Sequence, residues 1–178
     1  MTETNAQKTA DWFDEIQIRQ VREEDLPGLE WEGEFTHFRR LYAEAFRRAQ
    51  RGMSILWLAD LPGKIIVGQV FVQLHCDRPE MCNGIDRAYL YAFRVRPAYR
   101  SQGLGKRMLD VVEEDLVERG YRFLTLNVAK DNLRAQEFYR RHGFVIAAAE
   151  PGRWSYIDHE GRLRNIVEPA WRMEKHLA

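Results

Sequence analysis

Residues 95–105 read Val-Arg-Pro-Ala-Tyr-Arg-Ser-Gln-Gly-Leu-Gly. An extended apolar run meets a proline, a basic loop with two glycines follows, and an amphipathic pattern begins behind it. That order leaves the first N–H groups of a helix free at one spot, which is a ready anion site. Glycine lets the main chain approach a phosphate closely, because no Cβ intervenes. Arg100, Lys106 and Arg107 add positive charge around the loop. Alone, Arg100-x-x-Gly103-x-Gly105 is also what a helix entered through a glycine turn looks like. It fits neither the Rossmann fingerprint nor the P-loop. Ser101 lacks a Gly-x-Ser-x-Gly elbow, so nothing here marks a covalent nucleophile.

The elements that must position this loop follow from periodicity. Residues 16–22 alternate as a half-buried strand, and 23–29 form a short helix. Residues 31–34 break the chain. Phe38, Leu41, Tyr42, Ala45, Phe46 and Ala49 recur at helical spacing over 35–51, and Gly52 ends that helix. Strands follow at 54–60, 65–75 and 87–95, the second rich in β-branched residues. The third is apolar on both faces, which places it centrally in a sheet. Met108, Leu109, Val112 and Leu116 stripe a helix that runs to about residue 119. A buried strand over 123–128 and a short helix over 133–142 come next, with Asp131 or Asn132 as N-cap. A strand at 144–148, a hairpin of 154–158 with 163–167, and a last strand over 169–176 complete the chain. The fold class is α+β: one mixed sheet with helices on both faces.

At 178 residues the chain is expected to be a single domain over 15–178 behind a mobile polar tail over 1–14. Its 27 basic and 27 acidic residues cancel, leaving no net field for nucleic acid or anionic lipid. No apolar run reaches membrane length, and the N-terminus lacks a signal-peptide layout, so the expectation is a cytoplasmic protein with no membrane partner. Cys76 and Cys82 fit neither a Cys-x-x-Cys redox pair nor a zinc ribbon, and a metal site joining them to His75 is the weaker reading. No metal is expected.

The chain resembles the GNAT superfamily of acyl-CoA-dependent N-acyltransferases over roughly residues 16–175. Two motifs carry the resemblance. The first is Phe93-Arg94-Val95-Arg96-Pro97 with Arg100-Ser101-Gln102-Gly103-Leu104-Gly105. The second is Asn127, then Asn132-x-x-Ala135-x-x-Phe138-Tyr139-x-x-x-Gly143-Phe144. Their succession at this distance is far more specific than either alone. The resemblance implies acetyl-CoA as co-substrate, gripped by Phe93, Arg94, Val95, Arg100, Ser101, Gln102, Gly103, Leu104, Gly105, Lys106, Asn127, Asn132, Ala135 and Tyr139. The strands ending at Val95 and near Val128 should splay, so that pantetheine pairs with their free edges.

The implied reaction is direct attack of a primary amine on the thioester. The N–H of Val95 is the oxyanion donor and Tyr139 the acid that protonates the leaving thiolate. No Asp or Glu lies on strand 87–95, where many family members carry a carboxylate. The base is then a water chain or a group from elsewhere. The best alternative is the segment Trp31-Glu32-Gly33-Glu34-Phe35-Thr36-His37. Glu34 is assigned as catalytic there, and Trp31, Glu32, Glu34 and His37, with Tyr91, are assigned to the acceptor site. The acidic residues of that segment lean toward a cationic, polyamine-like acceptor. The acceptor itself is a small-molecule or protein amine. The aromatic hairpin closes the acceptor pocket, packs on a second subunit or is simply core. A homodimer is the commonest default. The competing reading is a non-catalytic acyl-CoA sensor of the same fold.

Overall fold

A computed structural model describes residues 11–178. Strand β1 (Gln17–Gln20) leads into 3₁₀ turns over Glu23–Gly33 and Thr36–Phe38, then α1 (Arg39–Gln50). The strands β2 (Ser54–Leu61), β3 (Ile65–Gln73) and β4 (Arg87–Val95) follow. A 3₁₀ turn at Pro97–Tyr99 precedes α2 (Leu104–Glu118), β5 (Phe123–Ala129) and α3 (Leu133–Arg141). The chain finishes with β6 (Val145–Glu150), β7 (Arg153–Ile157), β8 (Leu163–Val167) and β9 (Ala170–His176).

Among the described residues, seven strands form one mixed sheet in the order β1-β2-β3-β4-β5-β9-β6, with β4 in the middle. Only β4 and β5 run parallel in it. The period-two alternation of β2 and β3 divides the core between the two faces. Ile55, Ala59, Val70 and Val72 join Met108, Leu109, Val112 and Leu116 of α2 on one face. Leu56, Leu58 and Phe71 join Leu29 and the α1 residues Tyr42 and Ala45 on the other. Helices therefore cover both faces, as the apolar run of β4 demands.

Two local expectations change. The long helix expected over 35–51 starts only at Arg39, because Thr36–Phe38 winds as a tighter 3₁₀ turn with Phe35 and Phe38 stacked at its entry. The expected tail over 1–14 ends sooner. Residues 11–15 are helical, and Trp12 packs edge-on against Tyr99 with centroids 4.8 Å apart. Two adjacent aromatic side chains have enough apolar surface to dock the segment; the rest of that expectation falls on residues outside the described ones. Cys76 and Cys82 are joined in a disulfide, with Cα atoms 5.6 Å apart, so neither is available to a metal.

The hairpin β7–β8 stands apart as a two-stranded ribbon. Such a ribbon is marginal alone. It leans on the entry of α1 through Tyr156, whose ring lies 5.1 Å from Phe38, and Trp154, 6.3 Å from the same ring.

Candidate active site

The gap between β4 and β5 is built by where pairing stops. Their parallel ladder ends at Leu90 with Leu126. Beyond it β4 continues against β3 to Val95, and β5 continues against β9 to Ala129, leaving their facing edges apart. A bulge helps to turn β4 away. The register with β3 slips between Gln69 and Phe71, and Ala92 sits in the left-handed region at φ 49°. The fully buried Gln69 holds the bulge by donating Nε2 to Ala92 O at 3.3 Å. Bulges commonly re-aim backbone groups in this way beside functional sites.

Past the bulge, backbone direction is set by alternation. Arg96 N–H donates to Val67 O at 2.8 Å. The adjacent Gly68–Val95 pair is then the kind whose N–H and C=O point away from the partner strand. The Val95 N–H therefore faces the gap, while its carbonyl accepts Arg100 Nε at 2.7 Å.

The glycine loop delivers free amides to one end of this gap. Gly103 is the N-cap of α2 at φ 91°, a conformation that glycine adopts at no steric penalty, and no side chain caps the helix. The first intrahelical bond is Arg107 N–H to Gly103 O at 3.1 Å, so the N–H groups of Leu104, Gly105 and Lys106 have no helical partner. A Cβ on Gly105 would stand 3.4 Å from the Phe138 ring, which packs edge-on against Phe93.

The charges around the loop are more committed than the sequence suggested. Arg107 turns away from the loop: it donates to Phe13 O at 2.8 Å and Ile16 O at 2.9 Å and lies over the Phe13 ring. Lys106 pairs with Asp110 at 2.6 Å. Arg134, which sequence reasoning missed, reaches from α3 to donate to Ser101 Oγ at 2.7 Å. Its only sequence signal is a basic residue in the first turn of the helix that Asn132 caps. Asn132 does cap it, accepting from Ala135 N–H at 3.1 Å.

A cavity of about 890 Å³ opens between the splayed strands. Phe93, Arg94, Asn127, Asn132, Ala135 and Tyr139 of the expected donor site line it, and so does Tyr91 of the expected acceptor site. Tyr139 is buried, its ring wedged edge-on between Phe138 and Phe144. Burial, with Tyr89 nearby, pushes its phenol well above the ordinary tyrosine range, so it keeps its proton at neutral pH. Its hydroxyl has no hydrogen-bond partner among the described residues. Burial also pushes Tyr89 and Tyr91 up to about 12. Asn127 Oδ1 is buried without a donor.

The segment 31–37 lies outside this cavity. Trp31 and Glu32 take left-handed φ values of 48° and 55°. The kink buries Trp31 beneath the Arg96 guanidinium and turns Glu32 outward into a two-bonded pair with Arg96, at 2.7 and 3.1 Å. Trp31, Glu32, Glu34 and His37 are absent from the cavity wall, and Glu34 is exposed. His37 instead packs against Phe38 and Tyr156.

Other carboxylates line the cavity: Glu44, Glu150 and Glu168. Glu150 is buried and accepts from Arg78 at 2.8 and 3.0 Å and from Arg172 at 2.9 Å, which hold it below the usual carboxylate range. Glu44 is likewise lowered, by Arg47 first. Among the described residues Glu168 pairs with no cation. The hairpin contributes Arg153 and Trp154 to the rim.

A mixed sheet opened between its parallel strands, with an uncapped helix start at one end of the opening, is the architecture of the N-acyltransferases that the sequence resembles. The chain belongs to the Acetyltransferase (GNAT) family, whose model matches residues 16–144. Over 89 residues it is 29% identical to the uncharacterized N-acetyltransferase YycN of Bacillus subtilis (strain 168), covering 50% of this chain and 54% of that one. Over 83 residues it is 34% identical to the ribosomal protein bS18-alanine N-acetyltransferase of Escherichia coli (strain K12), covering 47% and 55%. The chain thus spans about half the length of the curated relatives it matches. The crystal structure of Ard1 from Thermoplasma volcanium shares the fold, with a TM-score of 0.70 at 19% identity over 92% of this chain and 99% of that one.

Proposed function

We propose that the protein transfers an acetyl group from acetyl-CoA to a primary amine. The observation that carries this reading is Tyr139: a buried, protonated phenol without a hydrogen-bond partner among the described residues, on the wall of a cavity between two strands that have let go of each other. Three further features suit an extended amide chain ending in a pyrophosphate. Val95 offers an N–H to the gap, Asn127 Oδ1 is an acceptor without a donor, and the first amides of α2 are uncapped.

In this reading acetyl-CoA supplies the activated acyl group, and the chain's own residues do the rest. The Val95 N–H donates to the carbonyl oxygen as it gains negative charge. Tyr139 gives its proton to the departing sulfur. The amine's proton leaves through Glu168 or through water in the cavity, because Glu44 and Glu150 are held by arginines. Leu104, Gly105 and Lys106 hold the pyrophosphate with their amides.

The test is acceptor-dependent release of CoA thiol from acetyl-CoA, with the acetylated amine identified by mass. Tyr139→Phe should abolish most turnover while leaving acetyl-CoA binding intact. A variant that turns over like the parent would remove Tyr139 from the chemistry.

A further inference from the structure

We propose that the amine accepted by this site also carries a carboxylate, held by Arg94, with Arg48 adding positive charge to the same cavity. The inference rests on the acetyltransferase reading above and names its substrate class.

Charge balance across the cavity wall is the first argument. Four arginines line it, Arg48, Arg78, Arg94 and Arg153, against three glutamates. Glu150 is taken by Arg78 and by Arg172 from outside the wall, and Glu44 by Arg47 and Arg51. Glu168, exposed at the cavity wall, is then the one lining carboxylate without a cationic partner among the described residues, against the three lining arginines Arg48, Arg94 and Arg153. None of these three arginines has a carboxylate partner among the described residues.

Arg94 is also built like a binding residue. Its guanidinium carbon lies 4.4 Å from the Phe35 ring centroid and 5.4 Å from that of Phe38. Nη1 donates to Tyr42 Oη at 3.1 Å. The aromatic faces keep water from one side of the charge and fix its plane. A planar guanidinium held in this way presents its remaining donors as a fork that fits two carboxylate oxygens.

Arg48 supplies the independent observation. Nη2 donates to His75 O at 2.7 Å, but its Nε is buried with no acceptor. A buried donor without a partner is rare in a folded protein, and it leaves the Arg48 charge only partly satisfied by the chain. The local field has the same sign, since His37 is pushed toward its neutral form by burial and then by Arg94.

A cationic acceptor tail fits poorly. The aromatic faces that would receive it already hold Arg94. Of the two acidic residues that suggested a polyamine, Glu32 is paired with Arg96 at 2.7 Å and Glu34 is exposed off the cavity wall.

The experiment compares matched amines that differ only in a carboxylate or its carboxamide. One arm uses free amino acids and their amides, the other short peptides with Glu or Gln in second position, so that a small acid and an acidic peptide are told apart. The acid member of a pair should be acetylated with at least about tenfold higher kcat/KM, the scale of one charge-assisted hydrogen bond. Arg94→Gln should bring that ratio close to one. Arg94→Lys should keep part of it, and Arg48→Gln should reduce it. Equal use of acid and amide, preference for the amide, or an unchanged ratio in Arg94→Gln would overturn the inference. If no amine is acetylated, the acetyltransferase reading fails separately. Calorimetric binding of each acid and amide in the presence of CoA then decides the charge preference, with equal binding as the refuting result.

Discussion

Arg134 in the first turn of α3 donates to Ser101 Oγ in the glycine loop at 2.7 Å, closing one end of the gap between β4 and β5 with a single hydrogen bond. Ser101 is itself in the left-handed region at φ 61°. The contact puts a guanidinium beside the uncapped amides of α2. Arg134→Ala should therefore raise the KM for acetyl-CoA about tenfold, as loss of one charge-assisted contact would. The melting temperature should stay unchanged, because the pair is exposed. Initial rates at varied acetyl-CoA and a thermal melt check both halves.

Tyr139→Phe removes only an oxygen that has no hydrogen-bond partner among the described residues. Stability should be kept, while kcat should fall roughly 100-fold or more, the lower range for loss of a general acid. Turnover and acetyl-CoA affinity, measured on the same preparation, separate the two effects.

Glu34→Gln and Glu168→Gln make a contrasting pair. Glu34 is exposed and off the cavity wall, so its variant should match the parent. Glu168 lines the cavity and pairs with no cation among the described residues. Its variant should lose about tenfold or more in kcat/KM near neutral pH if it takes the amine's proton. A pH–rate profile of each variant tests the assignment.

Arg107→Ala should act on stability and not on the donor. Arg107 ties the carbonyls of Phe13 and Ile16 to α2. Losing both bonds should lower stability by about 2 kcal/mol and leave the KM for acetyl-CoA unchanged. Urea unfolding and initial rates give the two numbers.

The buried tyrosines set an alkaline limit. Tyr89 and Tyr91 are raised to about 12, and Tyr139 is raised too. A raised folded pKa means the folded state holds protons that the unfolded chain has lost. The stability these groups contribute is complete below their unfolded value of about 10 and is lost as pH rises through their folded values. Melting temperature should be flat with respect to these groups up to about pH 10 and then fall. Tyr89→Phe should soften that fall.

What could be read in advance was what the backbone and short-range pattern decide. The valine–proline–glycine passage fixed β4, the loop and α2, because each step is local. The acceptor side was not. Nothing near Trp31 and Glu32 announces a left-handed kink in two non-glycine residues, and that kink turns their side chains away. Arg107 counted as positive charge at the loop because its partners, the carbonyls of Phe13 and Ile16, lie more than 90 residues away in sequence. The engagement of Glu150 by Arg78 spans 72 residues and is equally silent in one dimension.

The place of β9 in the sheet has a consequence for how the molecule assembles. β9 follows β6 in sequence but lies between β5 and β6. Until residues 170–176 arrive, β5 keeps a bare edge on the side away from the cleft, and β6 has no strand to join. One wall of the cleft is thus held in place by the last strand of the sheet to emerge from the ribosome. A nascent chain stalled before Ala170 would display an adhesive strand edge where the finished protein has an interior.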